Sequence, residues 1–212
     1  WDWATWKVNR LIIKPATAHK RCRYSHLPEM KKYVGKADVF LSHCWGACFG
    51  DLVACAVRTG SIIWLDIFAV RQWPGRAADL CFEEVISKCQ ALVISVSIDE
   101  KLRIDFDDIE EPVHNLMDTV FYTYKQKGHY DLIKETISLC RLWCIVEIAG
   151  AVRQKVPIVL RYGSVRLYKD TKDRFYETAY GLQLIQFLIE HIPDIKDASC
   201  GSGTDRTMHL NK

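Results

Sequence analysis

No stretch of this 212-residue chain reaches the roughly 18 apolar residues in a row that a membrane-spanning helix needs. The first residues do not run basic and then apolar either, so no secretory signal is expected from them. No long Lys/Arg run is present, and the formal charge of +3 reads as spread along the sequence, so a nucleic-acid footprint has no support. Neither GxGxxG nor GxxxxGK occurs, which removes the phosphate-cradling loops of dehydrogenases and NTPases. Paired C-x-x-C ligands are missing as well, so His43, Cys44 and Cys48 make a poor metal site and no metal is expected. There is no internal repeat and no low-complexity tract. Nine cysteines is an odd count, and Cys55, Cys89, Cys140 and Cys144 fall in apolar segments. Reduced, packed thiols and a cytoplasmic location are therefore expected rather than a disulfide framework. With Trp1 rather than Met as its first residue, the chain is expected to be a piece of a longer protein.

What the sequence does hold is 49% apolar and 26% charged residues, enough for one substantial core. Residues 1–36 read as an extension, with Trp1, Trp3, Trp6, Leu11, Ile12 and Ile13 among basic residues, that packs on a core or links to a neighbour. From residue 37 the pattern becomes regular. Asp38 to Ser42 is an apolar run ended by Trp45-Gly46, and Asp51 to Val57 has helical spacing closed by Gly60. The unit repeats as a strand over Ser61–Asp66, a loop carrying Pro74-Gly75, and a helix near Asp79–Lys88. Ala91 to Val96 gives a third strand. Residues 98–130 break the rhythm and read as an insertion. A long helix is expected from about Asp131 to Gln154, then a fourth strand over Val156–Leu160 with Pro157 at its start, where a missing N–H costs least. Phe175–His191 reads as a helix, Ile195–Ala198 as a short edge strand, and Ser202 to Asp205 as the cap of a last helix. Continuous apolar strands alternating with helices predict an α/β, doubly wound parallel sheet.

In such a sheet ligands bind beyond the carboxyl ends of the strands. That gathers Ser42, His43, Cys44 and Trp45, then Asp66 and Phe68, then Ser95 and Ser97, around one cleft, overhung by the loop from Phe68 to Ala78 with Arg71, Trp73 and Arg76. A second focus is Leu142 to Val152, whose single carboxylate is Glu147. A lone charge in apolar surroundings is costly, so it must reach a partner, a ligand or solvent. Trp143 lies one helical turn before it, and partial desolvation would raise the glutamate pKa, as at many functional carboxylates. Salt-bridging of Glu147 to Arg141 or Arg153 is the plain structural alternative.

Val39 to His43, Trp64-Leu65-Asp66 with its Pro74-Gly75 loop, Leu92 to Ser97, Trp143 to Ile148 and the Pro157 strand together resemble successive landmarks of Toll/interleukin receptor (TIR) domains, over roughly residues 37–200. The most specific of these is the tryptophan followed four residues later by glutamate. The resemblance implies a TIR-like domain over residues 37–212 with a flavodoxin-like five-stranded sheet of order 2-1-3-4-5. It implies that Glu147 is catalytic, and that NAD, as substrate rather than cofactor, is cleaved at the nicotinamide–ribose bond to nicotinamide and ADP-ribose or a cyclic isomer. Ser42, His43, Trp45, Asp66, Phe68, Ser95 and Trp143 would line the pocket. It also implies activation by self-association into a homo-oligomer in signalling or defence. His43-Cys44-Trp45-Gly46 departs from the aromatic and basic or glycine residues common after the first-strand serine. Two other readings stand beside the enzyme: a non-catalytic TIR-like self-association module, and a nucleoside deoxyribosyltransferase-like enzyme. A Cys44–His nucleophilic dyad lacks a third, orienting residue.

Overall fold

A computed structural model describes residues 2–57, 61–75, 79–97, 138–163 and 198. Four parallel strands form one sheet: β1 (Val39–His43), β2 (Ile63–Trp64), β3 (Ala91–Ser97) and β4 (Ile158–Gly163), in the order β2-β1-β3-β4. In-register pairing runs Val39 to Ala91 through His43 to Ser95, and Leu92 to Ile158 through Ser97 to Gly163. Helices α3 (Phe49–Val57), α5 (Phe82–Ile86) and α6 (Leu142–Arg153) connect or flank the strands, and a short α4 (Asp66–Ala69) follows β2. This is an α/β architecture. Among the described residues no helix is long and apolar enough to cross a membrane.

Side chains alternate across a strand, so each strand feeds two cores. Phe40, Leu92, Ile94 and Val96 point to one face and join Phe82, Ile86 and Ala151 of α5 and α6. Here rings interlock: Phe40 stacks on Trp64 at 4.4 Å, and Phe82 meets Trp64 and Trp143 edge-on, each at 5.3 Å. On the other face Val39, Leu41 and Val93 pack with Leu52 and Cys55 of α3, Ile67 of α4, and Val8 and Ile13 from the N-terminal extension. The extension therefore does pack on a core. It is helical from Thr5 to Thr17, as α1 (Thr5–Val8), a π-helical turn (Asn9–Ile13) and α2 (Lys14–Thr17). Two 3₁₀ turns, Tyr24–His26 and Pro28–Tyr33, lead into β1.

Three boundaries differ from the sequence reading. Asp66 does not end a strand: β2 stops at Trp64, and Asp66 opens α4, its carboxylate accepting from the Ile67 amide at 2.6 Å. The long helix toward Gln154 is broken, because Arg141 is extended (φ −100°, ψ 129°) between a 3₁₀ turn, Ser138–Cys140, and α6. The Ser138 hydroxyl donates to the Ser95 carbonyl at 2.6 Å and anchors the turn to β3. The fourth strand begins after Pro157, whose carbonyl accepts from Leu92 N. None of the eight described cysteines is in a disulfide, and Cys55, Cys89, Cys140 and Cys144 are buried. The insertion at 98–130, the helix at 175–191, the edge strand but for Ala198, and the final capped helix lie outside the described residues.

Candidate functional site at the carboxyl edge of the sheet

The last two residues of β1 point to opposite faces, and each meets a carboxyl group. Ser42 faces α6, where its hydroxyl donates to Glu147 Oε2 at 2.5 Å. His43 faces the extension and α4, its Nδ1 lying 3.7 Å from Asp66 Oδ1. Trp45 closes the arrangement from the following loop, its indole N–H donating to Asp66 Oδ2 at 2.6 Å. Ser95 lies beside His43 on β3 and is buried. Glu147, Ser42, His43, Trp45, Asp66 and Ser95 are thus brought to one end of the sheet, as a cleft beyond the strand ends requires.

Two of the sequence candidates sit elsewhere. Trp143 packs in the aromatic cluster against Phe82, and Phe68 meets Tyr24 at 5.5 Å and Phe49 at 6.4 Å in the opposite core. Spacing of four along a helix predicts a shared side, yet the larger ring follows the apolar cluster while the carboxylate follows Ser42. Arg71 and Trp73, candidates for phosphate or subunit contact, are engaged locally. Arg71 binds Asp79 at 3.0 Å, and Trp73 donates to Thr17 at 3.0 Å. Arg76 lies outside the described residues.

No family model, no curated protein and no solved structure matches the chain. The chemistry of the edge must therefore be read from its own groups.

Glu147 is 7% exposed, and Arg153 does not neutralise it, because that guanidinium reaches Glu83 instead, at 2.9 and 3.1 Å. Burial pushes its carboxyl up to about 8, the Ser42 hydrogen bond opposes this, and the Asp66 charge adds to it. Glu147 accordingly holds its proton near neutrality. His43 is driven the other way, below its ordinary value, by burial, against the attraction of Asp66. It is therefore a neutral imidazole, and its Nε2 is buried with no hydrogen-bond partner. The Cys144 thiol donates to the His43 carbonyl at 3.4 Å and is itself pushed well up by burial and by Glu147. A thiol so held is a poor nucleophile. Among the described residues no group of three His, Cys, Asp or Glu could hold a metal ion. The arrangement offers a buried, proton-bearing carboxyl on one face and a neutral imidazole beside a carboxylate on the other.

Several participants carried no sequence signal. Gln72 donates to the Asp66 and Val70 carbonyls and accepts from Asn9, tying the Asp66 turn to the extension. Asp51, in the first turn of α3, accepts from Ser97 Oγ at the end of β3. A polar residue on an otherwise apolar helix, as Asp51 is, was the only hint available.

Proposed function

We propose that this chain is a TIR-like NAD glycohydrolase, with a flavodoxin-like sheet completed by a fifth strand and Glu147 as its catalytic residue. The observation that carries the reading is the buried Glu147 carboxyl at the carboxyl edge of a parallel sheet, held by Ser42 rather than by Arg153. In this reading Ser42 aims the carboxyl at a hydroxyl of the nicotinamide ribose. The C1′–N bond breaks, its electron pair leaves with nicotinamide, which becomes neutral, and water adds at C1′ and gives up a proton to solvent. Fixed negative charge beside the developing oxocarbenium ion lowers the barrier.

That role needs an ionised Glu147, whereas burial favours the protonated form. The positive nicotinamide ring resolves the conflict, because an opposite charge nearby draws a carboxyl pKa down. Substrate binding would expel the Glu147 proton, and affinity for NAD would rise with pH up to about 8. A neutral substrate would lack this lever. The pH profile thereby separates NAD from the free nucleosides of a deoxyribosyltransferase-like reaction.

The test is nicotinamide release from NAD by the purified chain over a rising protein concentration, since self-association is part of the proposal. Glu147→Gln should lower kcat by at least about 100-fold, the scale for losing one electrostatic group aimed at a transition state. Release at the wild-type rate by Glu147→Gln overturns the mechanism. No release at any protein concentration leaves the non-catalytic self-association module as the better reading.

A further inference from the structure

Charge that reads as spread when only runs are counted is uneven when counted by segment. Residues 1–36 hold nine Lys/Arg and two Asp/Glu, a net of +7, so the other 176 residues carry −4 of the chain's +3. Within the extension the helical stretch Thr5–Thr17 sorts its residues by side. Thr5, Val8, Asn9, Ile13 and Thr17 are buried, and the wider π turn keeps Asn9 and Ile13 in line with them. Trp6, Arg10 and Lys14 follow one another at intervals of four on the outer side, with Lys7 and Leu11 on the adjoining row.

That outer side is apolar as well as basic. Trp3 is 42%, Trp6 50% and Leu11 49% exposed. Lys7 lies over the Trp3 ring at 5.0 Å, so the indole and the cation are presented together. Among the described residues Lys7, Arg10 and Lys14 form no ion pair, whereas Arg23 of the extension pairs with Asp79. A surface that pairs exposed indoles with unneutralised cations calls for an anionic occupant that also accepts apolar rings.

We propose that this face docks on an anionic lipid bilayer, lying in its interface with Trp3, Trp6 and Leu11 among the headgroups and acyl chains and the basic row on the lipid phosphates and carboxylates. Charge complementarity supports the choice, and so does composition. Protein interfaces are depleted in lysine, whereas interfacial helices combine Lys/Arg with Trp and Leu. The proposal does not depend on the NAD reading.

The docking face is rigidly joined to the sheet edge. Thr5 N donates to Ala47 O at 3.1 Å, Trp6 N to Trp45 O at 3.0 Å, and Phe49 N to Trp3 O at 2.8 Å. The loop that receives these bonds is the one that sends Trp45 to Asp66.

Co-sedimentation of the 212-residue chain with vesicles of phosphatidylcholine alone, and of phosphatidylcholine with phosphatidylserine, tests the proposal. Binding should be confined to the phosphatidylserine vesicles and weaken with added salt. Arg10→Ser with Lys14→Ser should cut partitioning about fivefold per cation removed. Trp6→Ser should weaken it further, while Lys88→Ser in the turn after α5 should leave it unchanged, and all variants should melt like the parent. Equal binding to both vesicle types, no binding to either, or anionic binding indifferent to Arg10, Lys14 and Trp6 overturns it. Capture by a poly-glutamate peptide without capture by vesicles also overturns it, and identifies an acidic protein segment as the occupant.

Discussion

The two faces of the sheet are built from alternate residues of the same strands, yet they are held differently. The Phe40 face is closed by interlocking rings, and the buried Glu147 carboxyl there accepts a hydrogen bond from Ser42. On the Leu41 face, Thr5 Oγ1, Asn9 Oδ1 and His43 Nε2 are the described buried side-chain polar atoms without a hydrogen-bond partner. All three belong to the extension or to the strand end beside it. The first face is a shape-matched core, and the second is a cover that buries polar groups at a cost. Stability and function are divided between them accordingly.

The largest expected effect tests the first half of that contrast. Phe40 is fully buried and central to the stack with Trp64 and Phe82. Phe40→Ala should lower the unfolding free energy by about 3–5 kcal/mol, read from denaturant melts. A loss below about 1 kcal/mol would mean that the ring cluster yields easily and that the faces do not differ as described.

How much of this was legible in sequence follows from what each pattern encodes. Continuous apolar runs at Val39 and Leu92 announced buried parallel strands, because a strand covered on both faces has no polar side to show, whereas the run at Ile158 announced a strand but not its exposure, Ile158 and Val159 being 37% and 40% exposed. Glu147 was legible as well, since a single charge in an apolar helix needs a partner. The direction taken by Trp143 was not legible. Helical spacing places it beside Glu147, and only the rings of Phe82 and Trp64, far off in sequence, decide where it packs. The break at Arg141 was hidden as well, and the turn before it is tied by Ser138 to a strand more than 40 residues earlier. Of the two arginines on Asp79, Arg71 is local to the loop, but Arg23 is brought by the extension from a distance in sequence.

The next effect is a pH dependence of opposite sign on the two faces. Folding raises the Glu147 pKa from its ordinary 4.5 to about 8, so over that window the native state keeps a proton that the unfolded chain has released. Stability should fall as pH rises through the window, by up to about 1.4 kcal/mol per unit, and Glu147→Gln should flatten this slope. His43 acts in reverse. Its folded pKa lies below the ordinary 6.5, so its contribution is complete above that value and is lost as pH falls below it. His43→Gln should remove the rise in stability toward 6.5 while leaving in place the fall that Glu147 causes between 4.5 and about 8. If one substitution flattens both limbs, the two groups titrate as a single unit through Asp66, and the faces are not independent.

The smallest effect bears on the cover itself. Thr5 is fully buried beneath the exposed Trp3 and Trp6, and its hydroxyl has no partner although its backbone N–H is bonded to Ala47. Removing one side of a hydrogen bond is destabilising, whereas removing a buried hydroxyl that bonds nothing recovers its desolvation cost. Thr5→Val keeps the shape and deletes only that hydroxyl, so the chain should gain about 1 kcal/mol, seen as a higher denaturant midpoint with an unchanged slope. The result divides cleanly, because a hydroxyl that is in fact satisfied would make the same substitution costly. A gain would show that the extension is held on the sheet by Val8 and Ile13 against the resistance of its polar groups. That balance makes it a cover whose grip could be altered from its outer side, where Trp6 and Arg10 face outward, without disturbing the rings around Phe40.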